Sequence, residues 1–249
     1  MTATLVVWAH PEPGSFTAAW ARRSVEAAAR MGAVATSDLY AMRFDPAERA
    51  ELYGHTGPFD ALKVQEAAAA AGRLPPDLSA ELAKIRAADL VVLHFPIWWF
   101  GPPAMLKGWV DRALVHGALH RVEERFDAGP CRGKRVLFCV STGCTAAECG
   151  PDGREGDLAL QLWPLAHAFR YCGFEVLEPV RVHEVHGYHE AEALPAVETR
   201  LGAVLDGQAD LLAGLDARAV WASNPGTDFD SEGRLRPEAA EFSPFIRHA

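Results

Sequence analysis

The 249-residue sequence lacks the signatures of several large protein classes. No apolar run is long enough to span a bilayer, so membrane insertion is not expected. Basic residues are in the minority, with 24 Lys and Arg against 33 Asp and Glu and a net charge of −9. That balance argues against nucleic acid or an acidic membrane as a partner. The stretch MTATLVVWAHPEPG has no basic region ahead of its apolar residues, and it predicts a first strand rather than a signal peptide.

Cysteine is scarce as well, and the cysteines form an odd-numbered set: Cys131, Cys139, Cys144, Cys149 and Cys172. Cys139 and Cys172 lie in apolar contexts that are typical of a core. We therefore expect a reducing, cytoplasmic compartment rather than a disulfide scaffold. The chain is 49% hydrophobic, which is enough for one large globular core that needs neither disulfides nor a metal.

A third absence is the GxGxxG fingerprint, so a Rossmann-type dinucleotide site is not indicated. Short apolar runs instead alternate with helix-period segments. The runs predict strands at 4–9, 32–40, 89–95, 134–141 and 174–182, and the other segments predict helices at roughly 15–31, 78–87, 102–114, 157–171 and 190–214. This alternation predicts an α/β fold in which a doubly wound parallel sheet has helices on both faces.

Two segments stand apart from this alternation. Residues 43–76 form a long excursion off the sheet, and they include the helix-prone run EAAAAAG at 66–72. Residues 224–249 show little periodicity and are expected to wrap over a surface. We predict one domain over residues 1–223, followed by an irregular C-terminal tail over residues 224–249.

The first loop with informative chemistry follows the first predicted strand. It begins at His10 and is stiffened by Pro11 and Pro13, and Ser15 is placed to cap the next helix. A capped helix start presents free N–H groups and the positive end of the helix dipole, which suits a phosphate without any lysine. The loop alone is equally consistent with an ordinary, well-capped helix.

The second loop, residues 96–100, is unusual because strand-to-helix turns normally carry polar residues. It places Trp98, Trp99 and Phe100 at the mouth of a strand, between prolines. The third loop, Ser-Thr-Gly-Cys at 141–144, offers hydroxyl and backbone N–H groups to the polar atoms of a ring. Such triplets are also common in ordinary turns.

The three loops carry more information together than singly. In an open parallel sheet, ligands bind beyond the carboxyl ends of the strands, where the strand order reverses. With the order 2-1-3-4-5, that point lies between the first and third strands, and all three loops meet there. A phosphate site, an aromatic wall and a backbone-rich loop predict a nucleotide with a large flat ring, which is a flavin.

Four motifs together resemble the NAD(P)H quinone oxidoreductases, and most closely the FAD-binding, mammalian-type branch and its bacterial relatives: HPEPGSF, SDLYAMRFDP, FPIWWFGPPAMLKGWVDRAL and WPLAHAFRYCGFEVLEP. The similarity runs from about residue 4 to about residue 212. It implies a flavodoxin-like fold with a five-stranded sheet of order 2-1-3-4-5. It also implies a homodimer with active sites at the subunit interface, in which a flavin takes a hydride from NAD(P)H and passes two electrons to a quinone.

The resemblance also implies site residues by position. The first loop, in which Ser15 is a predicted cofactor-binding residue, would contact the flavin phosphates and ribityl chain through His10, Phe16 and Thr17. The second loop would line the isoalloxazine through Pro96, Ile97, Trp98, Trp99 and Phe100. The third loop would contact the polar edge of the ring through Ser141, Thr142, Gly143 and Cys144. The excursion at 43–76 matches the FAD-binding branch, which favours FAD over FMN.

The departures from the family pattern define the remaining predictions. Cys149 and Glu155 stand where familiar members carry a tyrosine and a histidine beside the flavin, so we predict that they handle the proton. Cys149 needs a perturbed pKa for this role, and Glu155 needs partial desolvation. Glu155 also fits a solvated carboxylate on the loop PDGREGD. Trp98 replaces the usual glutamine and His120 lies in the substrate loop, so both are predicted substrate contacts.

Metal and disulfide sites are weighed separately. His183, His186 and His189 have metal-like spacing, but their neighbours complete no obvious ligand set, and of the histidines that hold zinc in some relatives only His167 is present. No metal is expected. Cys144 and Cys149 share a loop and can form a redox disulfide, although two separate side chains are expected.

Two other functions remain open at this point. A flavin-binding regulatory subunit of a potassium-efflux system is the main alternative, because the changes at 149 and 155 affect the proton-handling pair. A flavodoxin-like electron carrier ranks last, since carriers leave the flavin edge open and this wall is aromatic.

Overall fold

The computed structural model describes residues 2–249, and its centre is a parallel sheet in the order β2-β1-β3-β4-β5. The strands are β1 Thr4–Trp8, β2 Val34–Asp38, β3 Leu90–Pro96, β4 Arg135–Ser141, β5 Glu175–Val176 and β6 Val180–Val182. The helices are α1 Phe16–Ala29, α2 Ala61–Ala70, α3 Pro76–Ala87, α4 Ala104–Ala113, α5 Leu158–Tyr171, α6 Leu194–Asp206 and α7 Gln208–Ala213. The predicted fold class and strand order are confirmed.

Alternating residues of the central strands point to opposite faces of the sheet, and both faces are buried. Val91, Leu93 and Phe95 of β3 pack with α3, α4 and α5 in one core. Leu90 and Val92 face the other way and pack with Trp20 of α1 and with α7. Burial on both faces explains why these strands are nearly continuous apolar runs.

The fifth predicted strand is present in two short pieces rather than one. β5 pairs with the start of β4, and β6 pairs with its end. Between them, Pro179 has no N–H to donate to a ladder, and Glu178 instead donates its N–H to Ala219 O at 2.9 Å. The prediction of a single strand over 174–182 is therefore wrong in detail, and the sheet of residues 2–249 has six strands.

The predicted helices begin and end within a few residues of their positions. The helix predicted at 190–214 is the exception, because it is divided into α6 and α7 at Gly207. No helix within residues 2–249 is both long enough and apolar enough to cross a membrane.

The excursion at 43–76 is anchored to α4 by a buried arginine. Arg112 donates to the backbone O of Asp45 and to Asp77 Oδ2, each at 2.7 Å, and its guanidinium lies 5.0 Å from the ring centre of Phe44. Since Arg112 is fully buried, its positive charge is stabilised by these partners and not by water. The excursion therefore belongs to the same packed unit as the sheet.

The tail packs over α5 and the segment before β4. Phe245 stacks on Trp163 with ring centres 4.5 Å apart, and the N–H of Gly226 donates to Asp127 Oδ2 at 2.5 Å. These contacts place residues 224–249 against the surface of the domain.

Candidate functional site

The carboxyl ends of β1, β3 and β4 lie side by side, and contacts join the three loops that follow them. The rings of His10 and Trp98 meet edge-on, with centres 5.7 Å apart. The N–H of Ile97 donates to Ser141 O at 2.8 Å. Thr17 Oγ1, at the start of α1, lies 3.5 Å from Ser141 Oγ. The predicted convergence of the loops is therefore present in the structure.

The first loop ends in a capped helix start with two free N–H groups. Ser15 Oγ accepts from the N–H of Ala18 at 3.2 Å, as its predicted capping role requires. The N–H groups of Phe16 and Thr17 have no hydrogen-bond partner among residues 2–249. Because α1 is fourteen residues long, these N–H groups lie at the positive end of a full helix dipole.

The second loop is a tight turn that presents aromatic rings to solvent. Backbone hydrogen bonds in both directions join Trp98 and Gly101, and they force the two central residues into the left-handed region, with φ of 50° at Trp99 and 62° at Phe100. Trp99 is 95% exposed and Phe100 is 57% exposed. Large residues pay a conformational cost in this region, and such costs concentrate at functional sites. The turn thus holds flat apolar rings outward at an energetic cost.

The third loop is anchored by the backbone of its buried residues. Ser141 and Thr142 are buried, whereas Gly143 is exposed and Cys144 is partly exposed. Thr142 exchanges backbone hydrogen bonds with Val182 and Val185, both at 2.9 Å. The loop therefore offers mainly its Gly143 and Cys144 backbone to a ligand.

The structure joins Cys144 and Cys149 in a disulfide. The expectation of two separate side chains is wrong, because the loop folds back on itself and brings the two sulfurs together, a proximity that spacing in the sequence does not determine. Cys149 consequently has no thiol proton in this state. Its predicted role in proton handling requires a reduced disulfide, and it stays a prediction.

Glu155 lies on the return of the same loop. Its side chain is partly exposed and lies 3.7 Å from Arg154 Nε, while its backbone O accepts from Gln161 Nε2 at 2.8 Å. The geometry fits both the solvated carboxylate and a proton-handling group, so the predicted role of Glu155 remains untested.

His120 lies in a separate row of aromatic side chains. Its Nε2 donates to Leu114 O at 3.1 Å, and its ring meets Tyr171 edge-on with centres 5.3 Å apart. Burial, together with the neighbouring His116, holds the pKa of His120 below its ordinary value. Within residues 2–249, His120 makes no hydrogen bond or ring contact with the three loops.

One contributor to the site was missed from the sequence. Thr142 Oγ1 lies 2.9 Å from His183 Nδ1, so the histidine that follows β6 supports the third loop. Burial is the main cause that lowers the pKa of His183. A ring nitrogen of His183 and the sulfurs of Cys144 and Cys149 lie within 4.8 Å of one another. Since the sulfurs are joined, they offer no thiolates to a metal, and the absence of a metal stays a prediction.

The remaining predicted contacts differ in their access to a ligand. Phe16 and Ile97 are partly buried, while Pro96 and Thr17 are buried within the framework of the site. Trp98, a predicted substrate contact, is 40% exposed beside His10. We infer that the buried members shape the loops and that the exposed ones meet the ligand.

A large cavity lies elsewhere. It has a volume of about 1290 Å³ and lies between the tail and α5, with Trp163, Arg170 and Phe245 among its lining residues. None of the residues of the three loops lines it. The loops instead form an open surface, so the candidate site is identified from the side-chain contacts and not from the cavity.

Comparisons with known proteins identify the family to which the chain belongs. Residues 2–205 match a protein family described as having a flavodoxin-like fold. The chain is 41% identical over 189 residues to NAD(P)H dehydrogenase (quinone) 1 of Rattus norvegicus, covering 73% of this chain and 68% of the rat protein. It is 39% identical over 182 residues to ribosyldihydronicotinamide dehydrogenase (quinone) of Mus musculus, covering 70% of this chain and 78% of the mouse protein.

Solved structures give the same result. A Klebsiella pneumoniae structure assigned as a quinone reductase superimposes with a TM-score of 0.84 at 30% identity. The match covers 96% of this chain and 95% of that one. An NAD(P)H:quinone oxidoreductase from Methanothermobacter marburgensis has a TM-score of 0.64 at 23% identity, which shows a shared fold.

Proposed function

Because the chain belongs to the NAD(P)H quinone oxidoreductase family with its flavodoxin-like fold, we propose that it is a flavin-dependent oxidoreductase. It takes two electrons from NAD(P)H and passes them to quinones or similar flat acceptors. The observation that carries the proposal is the turn at 98–101. Its rings are held outward in left-handed backbone conformations, beside a helix start with free N–H groups.

The residues present fit a flavin. The N–H groups of Phe16 and Thr17 and the dipole of α1 suit its phosphate. Trp99 and Phe100 provide flat apolar surface for the ring system, and Gly143 leaves the third-loop backbone accessible to polar ring atoms. When bound, a flavin supplies the chemistry of hydride acceptance and two-electron transfer.

The protein's own groups bind and orient the flavin and the acceptor. The turn at 98–101 fixes the aromatic wall, and the hydrogen bond from Ile97 to Ser141 keeps the second and third loops in register. Trp98 limits the shape of the acceptor site. Glu155 is the candidate to hold or release a proton at its carboxylate, and Cys149 joins it only as a free thiol.

We propose FAD rather than FMN as the cofactor. The support is the excursion at 43–76, which resembles that of the FAD-binding branch and is attached to α4 by the hydrogen bond from Arg112 to Asp45 O. The flavin released on denaturation distinguishes the two, because FAD fluorescence rises on cleavage to FMN and FMN fluorescence does not.

We further propose a cytoplasmic homodimer formed by residues 1–223, with residues 224–249 as a covering tail. The open aromatic surface of the loops supports a partner subunit, because monomers rarely expose such patches. The three free thiols, Cys131, Cys139 and Cys172, support a reducing compartment, in which the Cys144–Cys149 disulfide would be open to reduction. No observation favours the regulatory subunit of a potassium-efflux system.

Stopped-flow absorbance tests the proposal. With flavin bound, NADH or NADPH bleaches the flavin and an added quinone restores its colour. Phe100→Ala weakens flavin binding by about 1–3 kcal/mol because it removes stacking area. Phe242→Ala, which removes the same ring at a similar exposure of 47%, leaves flavin binding unchanged. A protein that binds neither FAD nor FMN would contradict the proposal.

A further inference from the structure

The Cys144–Cys149 disulfide lies on the loop that we assign to flavin contact, and nothing in the quinone reductase chemistry uses it. We propose that it is a thiol–disulfide exchange site whose reductant is a small dithiol. The link to flavin described below rests on the proposed function, whereas the exchange chemistry does not.

The two sulfurs differ in access, which gives the exchange a direction. Cys149 is only 6% exposed, and Cys144 is partly exposed beside the exposed Gly143. An incoming thiolate therefore reaches Cys144 Sγ first, and Cys149 becomes the leaving group. Directional attack on the accessible sulfur is typical of redox-active pairs.

The leaving sulfur belongs to the hydrophobic core and has a hydroxyl beside it. Cys149 Sγ lies 3.9 Å from Thr142 Oγ1, which in turn lies 2.9 Å from His183 Nδ1. A disulfide sulfur has no proton to donate, and while the disulfide is intact the Thr142 hydroxyl donates its proton to Cys144 O at 3.1 Å. As the S–S bond breaks, rotation of this hydroxyl towards Cys149 Sγ would supply a donor that stabilises the thiolate.

The loop has anchors that survive loss of the disulfide. The N–H of Glu184 donates to Cys144 O at 3.0 Å, and the N–H of Leu158 donates to Cys149 O at 3.0 Å. The N–H and hydroxyl of Thr145 both donate to Glu148 Oε2 at 3.0 Å. Opening the disulfide therefore uncouples the two sides of the loop without requiring the protein to unfold.

The reaction is a two-electron exchange. A thiolate of the dithiol attacks Cys144 Sγ and forms a mixed disulfide. The bond between Cys144 Sγ and Cys149 Sγ breaks, and its electron pair goes to Cys149 Sγ. That sulfur then takes a proton. The second thiol of the reagent attacks its own sulfur in the mixed disulfide and releases Cys144 as a thiolate. The dithiol is oxidised to a cyclic disulfide, and the protein gains two thiols.

The other cysteines provide an internal control. Cys131, Cys139 and Cys172 are free and at most 1% exposed. Burial raises the pKa of Cys131 to about 11 and raises the pKa of the other two further. They should remain thiols and stay inaccessible to reagents in the folded protein.

Native alkylation tests the exchange site. The flavin-loaded protein is incubated with dithiothreitol, freed of reagent, alkylated while folded and mapped by peptide mass. After reduction we expect rapid labelling at Cys144 and slower labelling at the less accessible Cys149, with no labelling at either before reduction and none at the three buried free cysteines. Labelling at 144 and 149 only after unfolding, or labelling without reductant, would overturn the proposal.

Single-cysteine variants test the direction of attack. Cys149→Ser leaves Cys144 as the accessible thiol, and Cys144→Ser leaves Cys149 buried. With oxidised glutathione as the probe, we expect mixed-disulfide formation on Cys149→Ser to be at least roughly tenfold faster than on Cys144→Ser. Equal rates would contradict the assigned direction.

The link to flavin has a separate measurement. The flavin release rate, followed by fluorescence, should differ several-fold between the disulfide and dithiol forms, because Cys144 belongs to the flavin-contact loop. Equal release rates with confirmed reduction would exclude the link. A protein that binds no flavin would defeat the proposed function, and the alkylation result would still decide the exchange site.

Discussion

At the scale of single residues, the site is marked by side chains placed where folding alone does not favour them. Trp99 is almost fully exposed and Phe100 mostly so, and both adopt positive φ angles. Glycine adopts that conformation at no steric cost, and an exposed tryptophan contributes little to the core. The combination is explained if binding energy, and not folding stability, determines the residues of this turn.

Substitutions at Trp99 separate strain from function. Trp99→Ala and Trp99→Gly both remove the ring, so both should release flavin. Only glycine relieves the left-handed conformation, so Trp99→Gly should exceed Trp99→Ala in free energy of unfolding by about 1 kcal/mol. Urea denaturation of the flavin-free proteins provides the measurement. Equal stability of the two variants would show that the turn is not strained.

His94 of β3 makes stability depend on pH. It is fully buried, its Nε2 lies 2.8 Å from Ser24 Oγ, and burial lowers its pKa from 6.5 to about 3. The unfolded chain takes up a proton below pH 6.5 and the folded one does not. The neutral histidine's contribution is therefore fully present above pH 6.5 and is lost as the pH falls towards 3.

His94→Gln isolates that contribution, because an amide can still bond Ser24 and does not titrate. Relative to wild type, the variant should gain about 2 kcal/mol of unfolding free energy between pH 7 and pH 5, at about 1.4 kcal/mol per pH unit. Denaturation of both proteins at the two pH values measures it, and carboxylate effects cancel in the difference. Parallel pH dependence would mean that His94 protonates in the folded state.

At the scale of elements, the sequence determined the framework of the site but not its connections. The three loops were predictable because the carboxyl ends of neighbouring parallel strands share one edge of the sheet. His183 was not, because its approach to Thr142 depends on β6 pairing with the far end of β4 after the break at Pro179. The Cys144–Cys149 contact depends on how the loop turns back, which no periodicity encodes.

The attachment of the excursion to α4 can be tested at one glycine. A Cβ at Gly108 would lie 2.3 Å from both the Cβ and the backbone O of Pro46. Gly108→Ala should therefore destabilise the protein by about 1–3 kcal/mol by displacing the excursion. Gly202→Ala in α6, where a Cβ meets nothing within 4 Å, is the control and should be neutral or stabilising.

The measurements for Gly108→Ala are thermal unfolding and limited proteolysis. Cleavage should appear within residues 43–76 in Gly108→Ala and not in Gly202→Ala. If FAD binding depends on the excursion, Gly108→Ala should also lose affinity for FAD more than for FMN. Unchanged stability and unchanged cleavage would show that Pro46 moves aside without cost.

At the scale of the whole molecule, the predicted contacts fall into two groups, and among residues 2–249 no hydrogen bond or ring contact joins His120 to the three loops. The three loops form one group. His120 lies in the other group. Its ring meets Tyr171 edge-on with centres 5.3 Å apart, and Tyr171 in turn meets Phe126 edge-on with centres 5.0 Å apart. A symmetric dimer allows the second group of one subunit to complete the first group of its partner.

Mixing two variants tests whether the site is shared between subunits. Phe100→Ala damages the loop group and His120→Ala damages the second group, so each homodimer has only impaired sites. If the groups meet across the interface, a mixed dimer contains one intact site and one doubly damaged site. Random reassociation makes half of the dimers mixed, so activity should recover to about a quarter of the wild-type value.

The mixture is refolded together from denaturant, and mixing the folded proteins without exchange is the control. Sedimentation must show a dimer across the concentrations used. No recovery in a confirmed dimer would place both groups in the same subunit's site, or remove His120 from it.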